Sequence, residues 1–585
     1  MLRSTLRRLT KPNVVVLGTG WAGCYAAHHV DPNLCNIHVI STRNHMVFTP
    51  LLPQTTTGTL EFRSVCEPIT NIQPALAKPP HRFLRSVIYD VDFDEKQVKC
   101  VGVGVVGGSE NVPVNTFSVP YDYLIMAYGA RPNTFNIPGV EEKAFFLREV
   151  NEARGIRKRL VQNIMTANLP TTSIAEAKRL LHTVVVGGGP TGIEFAANLA
   201  EFFREDIKNV NTSLLPYCKV TVLEAGEVLG SFDTALRRYG QLRLNQLGVE
   251  IRKTAVVGVT DEEVFTKSGE VLPTGLVVWS TGVGSGPVTK ALKCDKTNRG
   301  RISIDDHLRV LRDGKPIPNV FAAGDCAASN ERPLPTLAAV ASRQGRYIGK
   351  EMNNLLKGKQ MSRPFVYRSL GSMASIGNRS AIVSLGDKFK FDLNGCAALW
   401  VWKSAYLTIL GSIRSKLYVI VNWAGSQIFG RDITYIGDLA EDRMYSALAV
   451  EEVSKEMSRK KTPEMLHAVN PESNYTSSVE KEGANKGFLP RKLGESTPLA
   501  PHGQAIEGSQ GTGAGSMAYG RVAEALKGSH RRLADLFLEL IRHAHVAVLA
   551  TTKLSLINWC RPLKPFVHLS PGITSVALGV YGRCL

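Results

Sequence analysis

The chain lacks close cysteine pairs and long apolar runs. Its ten cysteines are scattered over 585 residues, and no CxxC or similar spacing occurs, which argues against a dithiol redox centre and a structural zinc site. No run of 18 or more uncharged apolar residues is present, so a membrane-spanning helix is not expected. At this length, two to four domains with full hydrophobic cores are expected.

Acidic residues are absent from the N-terminus up to Asp31. This acid-poor, hydroxyl-containing start resembles a mitochondrial targeting peptide, which we place at residues 1–12, and the alternative is a basic tail without a targeting role. The whole chain carries 70 Lys+Arg against 51 Asp+Glu. Such a basic excess suits nucleic acid or an anionic lipid surface, and the placement of the charges must decide between them.

The first of two glycine-rich motifs is Gly18-x-Gly20-x-x-Gly23, between the strand pattern Val14–Leu17 and the helix pattern Cys24–His29. Glycine at these positions permits a tight turn, lets the backbone approach a pyrophosphate and lets the helix pack against the strand. The pyrophosphate then lies at the helix N-terminus, where amide groups and the dipole favour negative charge. This strand, turn and helix context predicts a dinucleotide site.

The second motif, Gly187-x-Gly189-x-x-Gly192, follows the strand pattern Thr183–Val186. The next predicted strand ends in Glu224, whose carboxylate suits the ribose hydroxyls of NADH and repels the 2′-phosphate of NADPH. The first unit has no such acid. Its second strand ends at Ser41 with Arg43 nearby, and these side chains suit an adenosine ribose or pyrophosphate, unless Arg43 is only a solvated surface charge.

Two dinucleotide motifs a domain's length apart predict an electron relay, with non-covalent FAD at the first and NADH at the second. Three further strand ends agree with this prediction. We place Gly129 beside the flavin adenine, Gly282 beside NADH, and Gly324-Asp325 at the ribityl chain, where the carboxylate accepts a hydroxyl; the alternative for Gly324-Asp325 is a simple turn. Without a close cysteine pair, a disulfide reductase is ruled out as the class, and Glu224 argues against a sulfide–quinone reductase.

Seven further segments occur in a specific order and resemble the type II (alternative) NADH:quinone oxidoreductases, particularly the internal mitochondrial branch. The likeness covers about Asn13 to Asp438 and rests on RNHMVFTPLLPQTTTGTLEFRSVCEPI, GGGPTGIEFAANLAEF, LVVWSTGVG, FAAGDCA, LPTLAAVASRQG, YRSLGSMASIGNRSA and FGRDI. The resemblance implies a non-pumping, single-subunit flavoenzyme that passes electrons from NADH through FAD to ubiquinone. The protein supplies position and electrostatics, since hydride transfer is the cofactors' chemistry.

The resemblance also implies roles for single residues. Thr49 and Pro50 are expected against the flavin. Glu194 is expected near the nicotinamide as a catalytic residue for binding or proton handling, the alternative being a plain helix-face carboxylate. The quinone segment is expected at Ala338, Ala339 and Gln344, with Gln344 catalytic.

Ala339 stands where the family often has glutamine, which predicts altered quinone affinity or preference. The family's calcium-responsive relatives carry an inserted EF-hand, whose D-x-[DN]-x-[DN]-G loop this chain lacks. We therefore expect neither calcium control nor any metal.

A stretch without acidic residues runs from Leu393 to Gly430 and holds half of the chain's six tryptophans. We interpret it as a basic amphipathic helix with aromatic anchors that lies on anionic lipid, with Gly411 as a possible interruption. The alternative is a dimer or core helix. The residues predicted to contact the membrane are Trp400, Trp402, Lys403, Tyr406, Arg414, Lys416 and Trp423.

The predicted fold class is α/β, with two Rossmann-like dinucleotide-binding domains and a C-terminal amphipathic membrane-binding region. The predicted order is FAD domain, NADH domain, second FAD part with the quinone segment, membrane or dimer region, polar disordered stretch, and basic, apolar tail of unknown role. Their bounds are 13–150, 151–290, 291–360, 361–438, 439–530 and 531–585.

The expected protein is a homodimer on the matrix side of the mitochondrial inner membrane, with chloroplast or peroxisome membranes as alternatives. Ubiquinone and the bilayer surface are the expected partners, and nucleic acid is not. Two other functions stay open on sequence grounds. One is a flavin reductase of a soluble electron-transfer protein, and the other is an NADH-sensing flavoprotein of low turnover.

Overall fold

A computed structural model describes residues 11–103, 115–369, 371–385 and 391–437. The first ten residues of the predicted targeting peptide lie outside the described residues, as do the predicted polar stretch and the basic tail. All described residues belong to one unit that ends at Gly437.

The strands of the described residues alternate with helices in the two predicted nucleotide-binding units. In chain order they are β1 (Asn13–Leu17), β2 (Asn36–Ser41), β3 (His45–Val47), β4 (Cys66–Pro68), β5 (Arg82–Asp92), β6 (Gln97–Gly102), β7 (Thr116–Pro120), β8 (Tyr123–Met126), β9 (Arg131–Pro132), β10 (Phe145–Phe146), β11 (His182–Val186), β12 (Lys219–Leu223), β13 (Val249–Arg252), β14 (Val256–Val259), β15 (Glu263–Thr266), β16 (Val271–Pro273), β17 (Leu276–Trp279), β18 (Val283–Gly284), β19 (Ile302–Ser303), β20 (Arg309–Arg312), β21 (Lys315–Ala322), β22 (Ala327–Ala328), β23 (Ser372–Ser375), β24 (Ala381–Leu385) and β25 (Phe391–Asn394).

The α-helices range from single turns to five turns. They are α1 (Trp21–His29), α2 (Leu52–Thr56), α3 (Ile69–Ile72), α4 (Val140–Lys143), α5 (Val150–Ala167), α6 (Ile174–Leu180), α7 (Pro190–Glu205), α8 (Thr234–Gln246), α9 (Pro287–Ala291), α10 (Ala338–Leu356), α11 (Gly395–Ile409) and α12 (Ile413–Phe429). Short 3-10 helices cover Thr49–Leu51, Phe62–Val65, Pro74–Ala77, Ile207–Asn209, Thr212–Tyr217 and Gly324–Cys326.

The first large sheet has eight strands in the order β20-β21-β8-β1-β2-β5-β6-β7. Its centre, β21-β8-β1-β2-β5, is parallel, and antiparallel strands extend both edges. Val14, Val15, Val16 and Leu17 are fully buried, as expected for a central parallel strand with both faces covered. Strands from before residue 127 and after residue 308 thus build one sheet.

The second large sheet is parallel throughout, in the order β10-β17-β11-β12-β13. Its strands all come from the part of the chain between the two halves of the first sheet. The chain therefore leaves one Rossmann-like unit, builds a second and returns. In each unit the glycine motif follows the central strand, β1 or β11, at the carboxyl edge of its sheet, where open α/β sheets bind ligands.

The C-terminal part of the described chain is a three-stranded antiparallel sheet, β23-β24-β25, followed by α11 and α12. Buried residues of this part, including Ile376, Ile382 and Val419, belong to the same hydrophobic core as α7 of the second unit. Among the described residues, none of the helices combines the length and the apolar character that crossing a bilayer requires.

Candidate active site at the two glycine motifs

The first glycine motif is built for close backbone approach. Gly18 has a φ of +102°, and a Cβ there would lie 2.5 Å from the Ala127 carbonyl oxygen. A Cβ on Gly23 would lie 2.0 Å from the carbonyl oxygen of Gly18, so only glycine lets α1 start this close to β1. Gly20, by contrast, is the N-cap of α1, and the atom nearest to a Cβ built there is 3.9 Å away, so the space in front of this residue is open. A phosphate fits this opening.

The polar side chains at the end of β2 face the same opening. The Ser41 hydroxyl lies 3.0 Å from the Thr19 hydroxyl, and Thr19 Oγ1 donates to the Arg43 carbonyl at 2.9 Å. The Nη2 atom of Arg43 is the atom nearest to a Cβ built on Gly20, at 3.9 Å. Ser41 and Arg43 therefore lie beside the first motif, as the sequence pattern predicted, and Arg43 is not a solvated surface charge.

Thr49 joins this group through the first residue of α1. The Trp21 indole N–H donates to Thr49 Oγ1 at 3.2 Å, and Thr49 and Pro50 form a 3-10 helix that continues into α2. Gly129 follows β8 with a φ of +77°, and nothing lies within 4 Å of its Cβ direction. These positions surround the first motif with space that a dinucleotide requires.

A cleft of about 180 Å³ is lined by Asp325 and Gln344. Gln344 is buried, and its Oε1 accepts the Gly324 N–H at 2.8 Å. Val340 and Ala341, from the same face of α10, also line the cleft, whereas Ala338 and Ala339 do not. Ala339 is exposed. The structure therefore brings Gln344 to Asp325 and leaves Ala338 and Ala339 on another face of the helix.

The second glycine motif repeats the geometry of the first. Gly187 has a φ of +113°, with its Cβ direction 2.6 Å from the Ser280 carbonyl oxygen, and a Cβ on Gly192 would lie 2.1 Å from the Gly187 carbonyl oxygen. Gly189 is the N-cap of α7, and nothing lies within 4 Å of its Cβ direction. The same holds for Gly282. A second phosphate-sized opening therefore stands at the N-terminus of α7.

Glu224 ends its strand directly against the second motif. Its Oε2 accepts the Gly188 N–H at 2.6 Å, and its Oε1 accepts the Gly226 N–H at 2.7 Å. Both oxygens are held by backbone groups, so the carboxylate has a fixed position at the carboxyl end of β12. The remaining lone pairs of each oxygen are available to ribose hydroxyls.

Backbone pairing joins the two units just beyond the carboxyl ends of β8 and β17. The short strands β9 and β18 pair antiparallel, and the Asn133 N–H donates to the Gly282 carbonyl at 2.9 Å. The Asn133 carbonyl accepts the Trp279 indole N–H at 2.9 Å and the Thr281 hydroxyl at 3.0 Å. The segments after Gly129 and after Trp279 are thus fixed to each other, which ties the two nucleotide-binding edges together.

Glu194 lies two residues beyond Gly192 on α7 and is covered by the C-terminal part. Its Oε1 accepts the Ser375 N–H at 2.9 Å and the Ser375 hydroxyl at 3.3 Å. Burial raises the pKa of Glu194 to about 8, against the opposing effect of Ser375 and the nearby Trp402 indole. Burial also raises the pKa of Tyr406, and the charge of Glu194 adds to that rise. At neutral pH this carboxyl holds a proton, unlike a plain helix-face carboxylate.

Comparison with known proteins follows the same division of the chain. Residues 12–345 match the pyridine nucleotide-disulphide oxidoreductase family, and residues 369–432 match the NDH2 C-terminal domain. The internal alternative NAD(P)H-ubiquinone oxidoreductase A1 of Solanum tuberosum is 43% identical over 446 residues, covering 73% of this chain and 88% of the relative. The Arabidopsis thaliana relative of the same name is 41% identical over 445 residues, covering 73% and 86%.

The chain belongs to the type II (alternative) NADH dehydrogenase family. Its fold also matches the solved structure of NDH2 from Plasmodium falciparum in complex with NADH, with a TM-score of 0.66 and 24% identity, covering 72% of this chain and 100% of that one. Membership confirms the predicted family and the predicted α/β fold of the nucleotide-binding units. It also explains why a single chain contains two glycine motifs of the same geometry.

The C-terminal helices of this family member correct part of the predicted membrane face. Trp402 is 0% exposed and Trp423 is 8% exposed, so the prediction that these two indoles contact lipid is wrong. Tyr406 packs edge-on against Trp402 and Phe48, with ring centroids 4.7 and 5.8 Å away, and is also not lipid-facing. Aromatic and basic composition predicted a surface, but these rings fill the seam between α11, α12 and the first Rossmann-like unit.

The other predicted membrane residues are less enclosed. Trp400 and Arg414 are exposed, and Lys416 is half-buried. Lys403 has its ammonium 4.9 Å from the ring centroid of Trp423, and burial lowers the pKa of Lys403. Gly411 lies between α11 and α12, so the stretch is interrupted at the glycine predicted from the sequence and forms a helical hairpin.

Sequence reasoning missed several residues that build the site. Ser375 and Asn133 received no role, although Asn133 lies four residues after Gly129. Arg431, within the quoted FGRDI segment, also received none. The available signal was the position of Ser375 and Arg431 within two of the quoted family segments, YRSLGSMASIGNRSA and FGRDI. Among the described residues, no group of three His, Cys, Asp or Glu is placed to hold a metal ion.

Proposed function

We propose that this chain is an FAD-dependent NADH:ubiquinone oxidoreductase, with FAD at the first glycine motif and NADH at the second. The observation that carries the proposal is the pair of glycine openings at Gly20 and Gly189, whose units are joined through β9 and β18. Names of relatives, which specify NAD(P)H and ubiquinone, support the choice of substrates. When bound, FAD accepts a hydride from NADH and delivers two electrons to the quinone.

At the second motif the chain binds and orients NADH. The N-terminus of α7 offers backbone N–H groups and a positive dipole end to the pyrophosphate. The Glu224 carboxylate, fixed by two N–H groups, accepts the ribose hydroxyls and disfavours a 2′-phosphate at the same place. Gly282 leaves space at the carboxyl end of β17, where the nicotinamide end of the dinucleotide is expected.

At the first motif the chain holds FAD without a covalent bond. Arg43 supplies a cation beside the Gly20 opening, and Ser41 and Thr19 supply hydroxyls. Asp325 offers carboxylate oxygen to the ribityl chain, and Thr49 and Pro50 close the other side next to Trp21. The glycines fit this group because a side chain at Gly18 or Gly23 would meet backbone atoms.

Glu194 and Gln344 are the proposed catalytic residues for the quinone step. The buried Glu194 carboxyl holds its proton at neutral pH, so it supplies a proton when quinone is reduced. Gln344 is held by Gly324 next to Asp325 and lines the adjoining cleft. Ala338 and Ala339 remain the predicted outer part of the quinone segment, where an exposed alanine replaces the amide that the family often carries.

Lipid contact is proposed through α12 rather than through the buried indoles. Ile413, Leu417 and Val421 recur every fourth residue, share one face of the helix and are 77%, 57% and 60% exposed. Arg414 beside them is a cation for anionic headgroups. The exposed Trp400 on α11 is an aromatic anchor of the same surface.

The proposed location is the matrix side of the mitochondrial inner membrane, with the chain as a homodimer. The mitochondrial names of the relatives support the organelle, and the basic, acid-poor sequence at residues 1–12 supports import. The homodimer and the matrix side are predictions from the family resemblance alone.

Anaerobic stopped-flow absorption at the flavin band near ~450 nm tests the function. Purified protein is mixed first with NADH and then with a short-chain ubiquinone. Fast bleaching followed by fast recovery is the expected result. Bleaching that no quinone reverses, while a small electron-transfer protein does reverse it, would overturn the quinone assignment in favour of a soluble acceptor. Slow recovery with every acceptor would favour an NADH sensor.

A further inference from the structure

Arg148 and Glu149 are consecutive residues of opposite charge that stand between β10 and α5. Strand β10 pairs with β17 and so belongs to the sheet of the second unit. Both side chains nevertheless reach residues of the first unit, and each reaches a residue placed at the FAD site. Neither residue has a role in the function as derived so far.

Arg148 forms an ion pair with the carboxylate expected at the ribityl chain. Its Nη2 lies 2.8 Å from Asp325 Oδ2, with side chains 34% and 18% exposed. Within the described part of the chain, the hydrogen bonds of this carboxylate involve only Oδ2. The guanidinium therefore fixes one oxygen and leaves Oδ1 for a hydroxyl of the cofactor.

Glu149 forms an ion pair with the cation beside the phosphate opening. Its Oε2 binds Nη1 of Arg43, while Nη2 of the same guanidinium is the atom nearest to a Cβ built on Gly20. Without a partner, an arginine side chain samples many rotamers, and holding it in one position costs rotamer entropy. Glu149 thus binds Nη1 of Arg43 and leaves Nη2 facing the opening at Gly20.

The backbone that carries both charges is itself fixed. Glu152 Oε2 accepts the N–H groups of Arg148 and Glu149 at 2.8 and 2.9 Å. Glu149 and Glu152 form a reciprocal capping box at the start of α5, which holds the first turn of the helix in place. The two side chains therefore start from a rigid helix end rather than from a loose connection.

We infer that Arg148 and Glu149 are positioning residues of the FAD site, with Arg148 orienting Asp325 and Glu149 orienting Arg43. The inference rests on the proposed placement of FAD at the first motif. Because both residues closely follow β10 of the second unit's sheet, FAD retention depends on charges supplied from the NADH-binding part of the chain. The pairing is complementary, with cation to anion and anion to cation, so the dipeptide leaves the net charge of the FAD site unchanged.

Double-mutant cycles on FAD affinity test this inference. Deflavo-protein is titrated with FAD and followed by flavin fluorescence, for Arg148→Met, Asp325→Ala and their combination, and for Glu149→Ala, Arg43→Met and theirs. Each single change is expected to weaken FAD binding roughly tenfold to hundredfold, as for a lost hydrogen bond to a charged group. Each double variant is expected to bind FAD no more weakly than Asp325→Ala or Arg43→Met alone, since Arg148 and Glu149 act through those residues.

Two exposed charges of the same region serve as matched controls. Arg154→Met on α5 and Glu141→Ala on α4 alter residues that are exposed, and both are expected to keep wild-type FAD affinity. Arg148→Lys is expected to recover part of the affinity that Arg148→Met loses. The apparent Tm of each deflavo-protein is measured alongside, so that a fold defect is recognised by a lowered Tm.

The outcomes separate this inference from the proposed function. Suppose that wild-type protein binds FAD, but that Arg148→Met weakens FAD binding as much in the Asp325→Ala variant as in wild type, and Glu149→Ala as much in the Arg43→Met variant. The positioning role is then overturned and the function stands. The same holds if the two substitutions only lower the apparent Tm. If wild-type protein binds no FAD, the proposed function and the inference fall together.

Discussion

The Glu224 carboxylate is held by two backbone N–H groups of its own nucleotide-binding unit. The sequence placed this acid at the end of a strand, and the structure adds that both oxygens are fixed in position. A fixed carboxylate discriminates between a ribose hydroxyl and a ribose phosphate more sharply than a mobile one, because it cannot turn away from the added negative charge.

Glu224→Gln is expected to relax the preference for NADH over NADPH. The amide keeps an oxygen for the Gly188 N–H but removes the charge that repels a 2′-phosphate, so the ratio of the two kcat/KM values is expected to fall about tenfold. Steady-state kinetics with both nucleotides measures this ratio. Glu227→Gln, at the neighbouring exposed carboxylate that pairs with Lys253, is the control. An unchanged ratio would remove Glu224 from the ribose site.

Glu194 shows what sequence reasoning about a single residue cannot supply. The GIEF motif predicted a carboxyl group near the nicotinamide, but the rise of its pKa to about 8 is caused by burial under Ser375 and the C-terminal helices. The folded protein keeps this proton between the ordinary value of 4.5 and about 8, whereas the unfolded chain loses it. Stability from this group is therefore complete below about pH 4.5 and lost as pH rises to about 8.

Glu194→Gln is expected to flatten the pH dependence of stability. The amide cannot ionise, so the variant avoids the loss that wild-type protein incurs on alkalinisation, at about 1.4 kcal/mol for each unit of pKa difference. The apparent Tm measured at about pH 5 and about pH 8 gives the two slopes. Glu262→Gln, at a 68% exposed side chain, should keep the wild-type slope. If Glu194→Gln also keeps it, the carboxyl is not buried as a neutral acid.

At the scale of elements, α10 and α1 are fitted to each other by glycine. A Cβ on Gly345 would lie 2.1 Å from the Ala22 carbonyl oxygen, and one on Gly349 would lie 2.7 Å from that of Ala26. The sequence pattern LPTLAAVASRQG predicted a quinone segment here, yet its final glycine is required by helix packing. The close approach also fixes Gln344, the residue before Gly345, against Gly324.

The helical hairpin of α11 and α12 shows the limit of composition. Tryptophan, tyrosine and lysine in an acid-free stretch predicted a lipid face, and periodicity alone assigned Trp402 and Tyr406 to it. The inner side of the hairpin instead packs on the first Rossmann-like unit, where the Trp423 indole N–H donates to Gln54 Oε1 at 2.7 Å. Lipid and protein interior select similar residues, so only packing separates the two faces.

Leu417→Glu is expected to weaken membrane binding. The substitution places a carboxylate within the exposed apolar face of α12, removing buried apolar area and repelling anionic lipid, with a loss of affinity of about tenfold or more. Sedimentation with vesicles of phosphatidylcholine and phosphatidylglycerol measures it.

Val257→Glu, at an exposed valine of β14, is the matched control and should sediment as wild type does. Equal sedimentation of both variants would take α12 out of the lipid interface. If Leu417→Glu instead changes the oligomeric state and leaves vesicle binding intact, the exposed apolar face of α12 is assigned to contact with a second copy of the chain.

At the scale of the whole molecule, Arg431 fastens the end of the described chain to α7. Its guanidinium is 2% exposed and reaches Asp206 Oδ2 at 2.7 Å and Glu201 Oε2 at 3.4 Å. Glu201 also accepts the Asn378 N–H at 2.7 Å, in the loop that connects β23 and β24. One buried cation thus joins α7, the C-terminal sheet and the FGRDI segment.

Arg431→Leu is expected to destabilise the folded protein strongly. Removing the cation leaves the buried Asp206 and Glu201 carboxylates without compensation, which typically costs about 3–5 kcal/mol. The apparent Tm of the purified protein is the measurement, and it should fall by several degrees or more.

Arg379→Leu provides the contrast for this prediction. Its guanidinium is 78% exposed and lies 3.6 Å from Glu205, so its removal should change stability by less than about 1 kcal/mol. Similar melting of the two variants would show that the Arg431 cluster contributes no more than a surface ion pair.

The sequence by itself determined the two nucleotide-binding units, because strand, glycine turn and helix are consecutive in the chain and their spacing follows from backbone sterics. Gly18, Gly20 and Gly23, with Gly187, Gly189 and Gly192, lie where the pattern predicted, and the acid at Glu224 follows from the same local rule. Membership in the type II NADH dehydrogenases was also readable from ordered motifs.

Only the tertiary structure decided which residues far apart in sequence meet. Three features depend on contacts between distant parts of the chain. They are the ion pairs of Arg148 with Asp325 and of Glu149 with Arg43, the proton on Glu194, and the burial of Trp402 and Trp423. Local patterns carry no information about such contacts, since the pKa of a carboxyl and the exposure of an indole are set by the neighbours that folding brings to them.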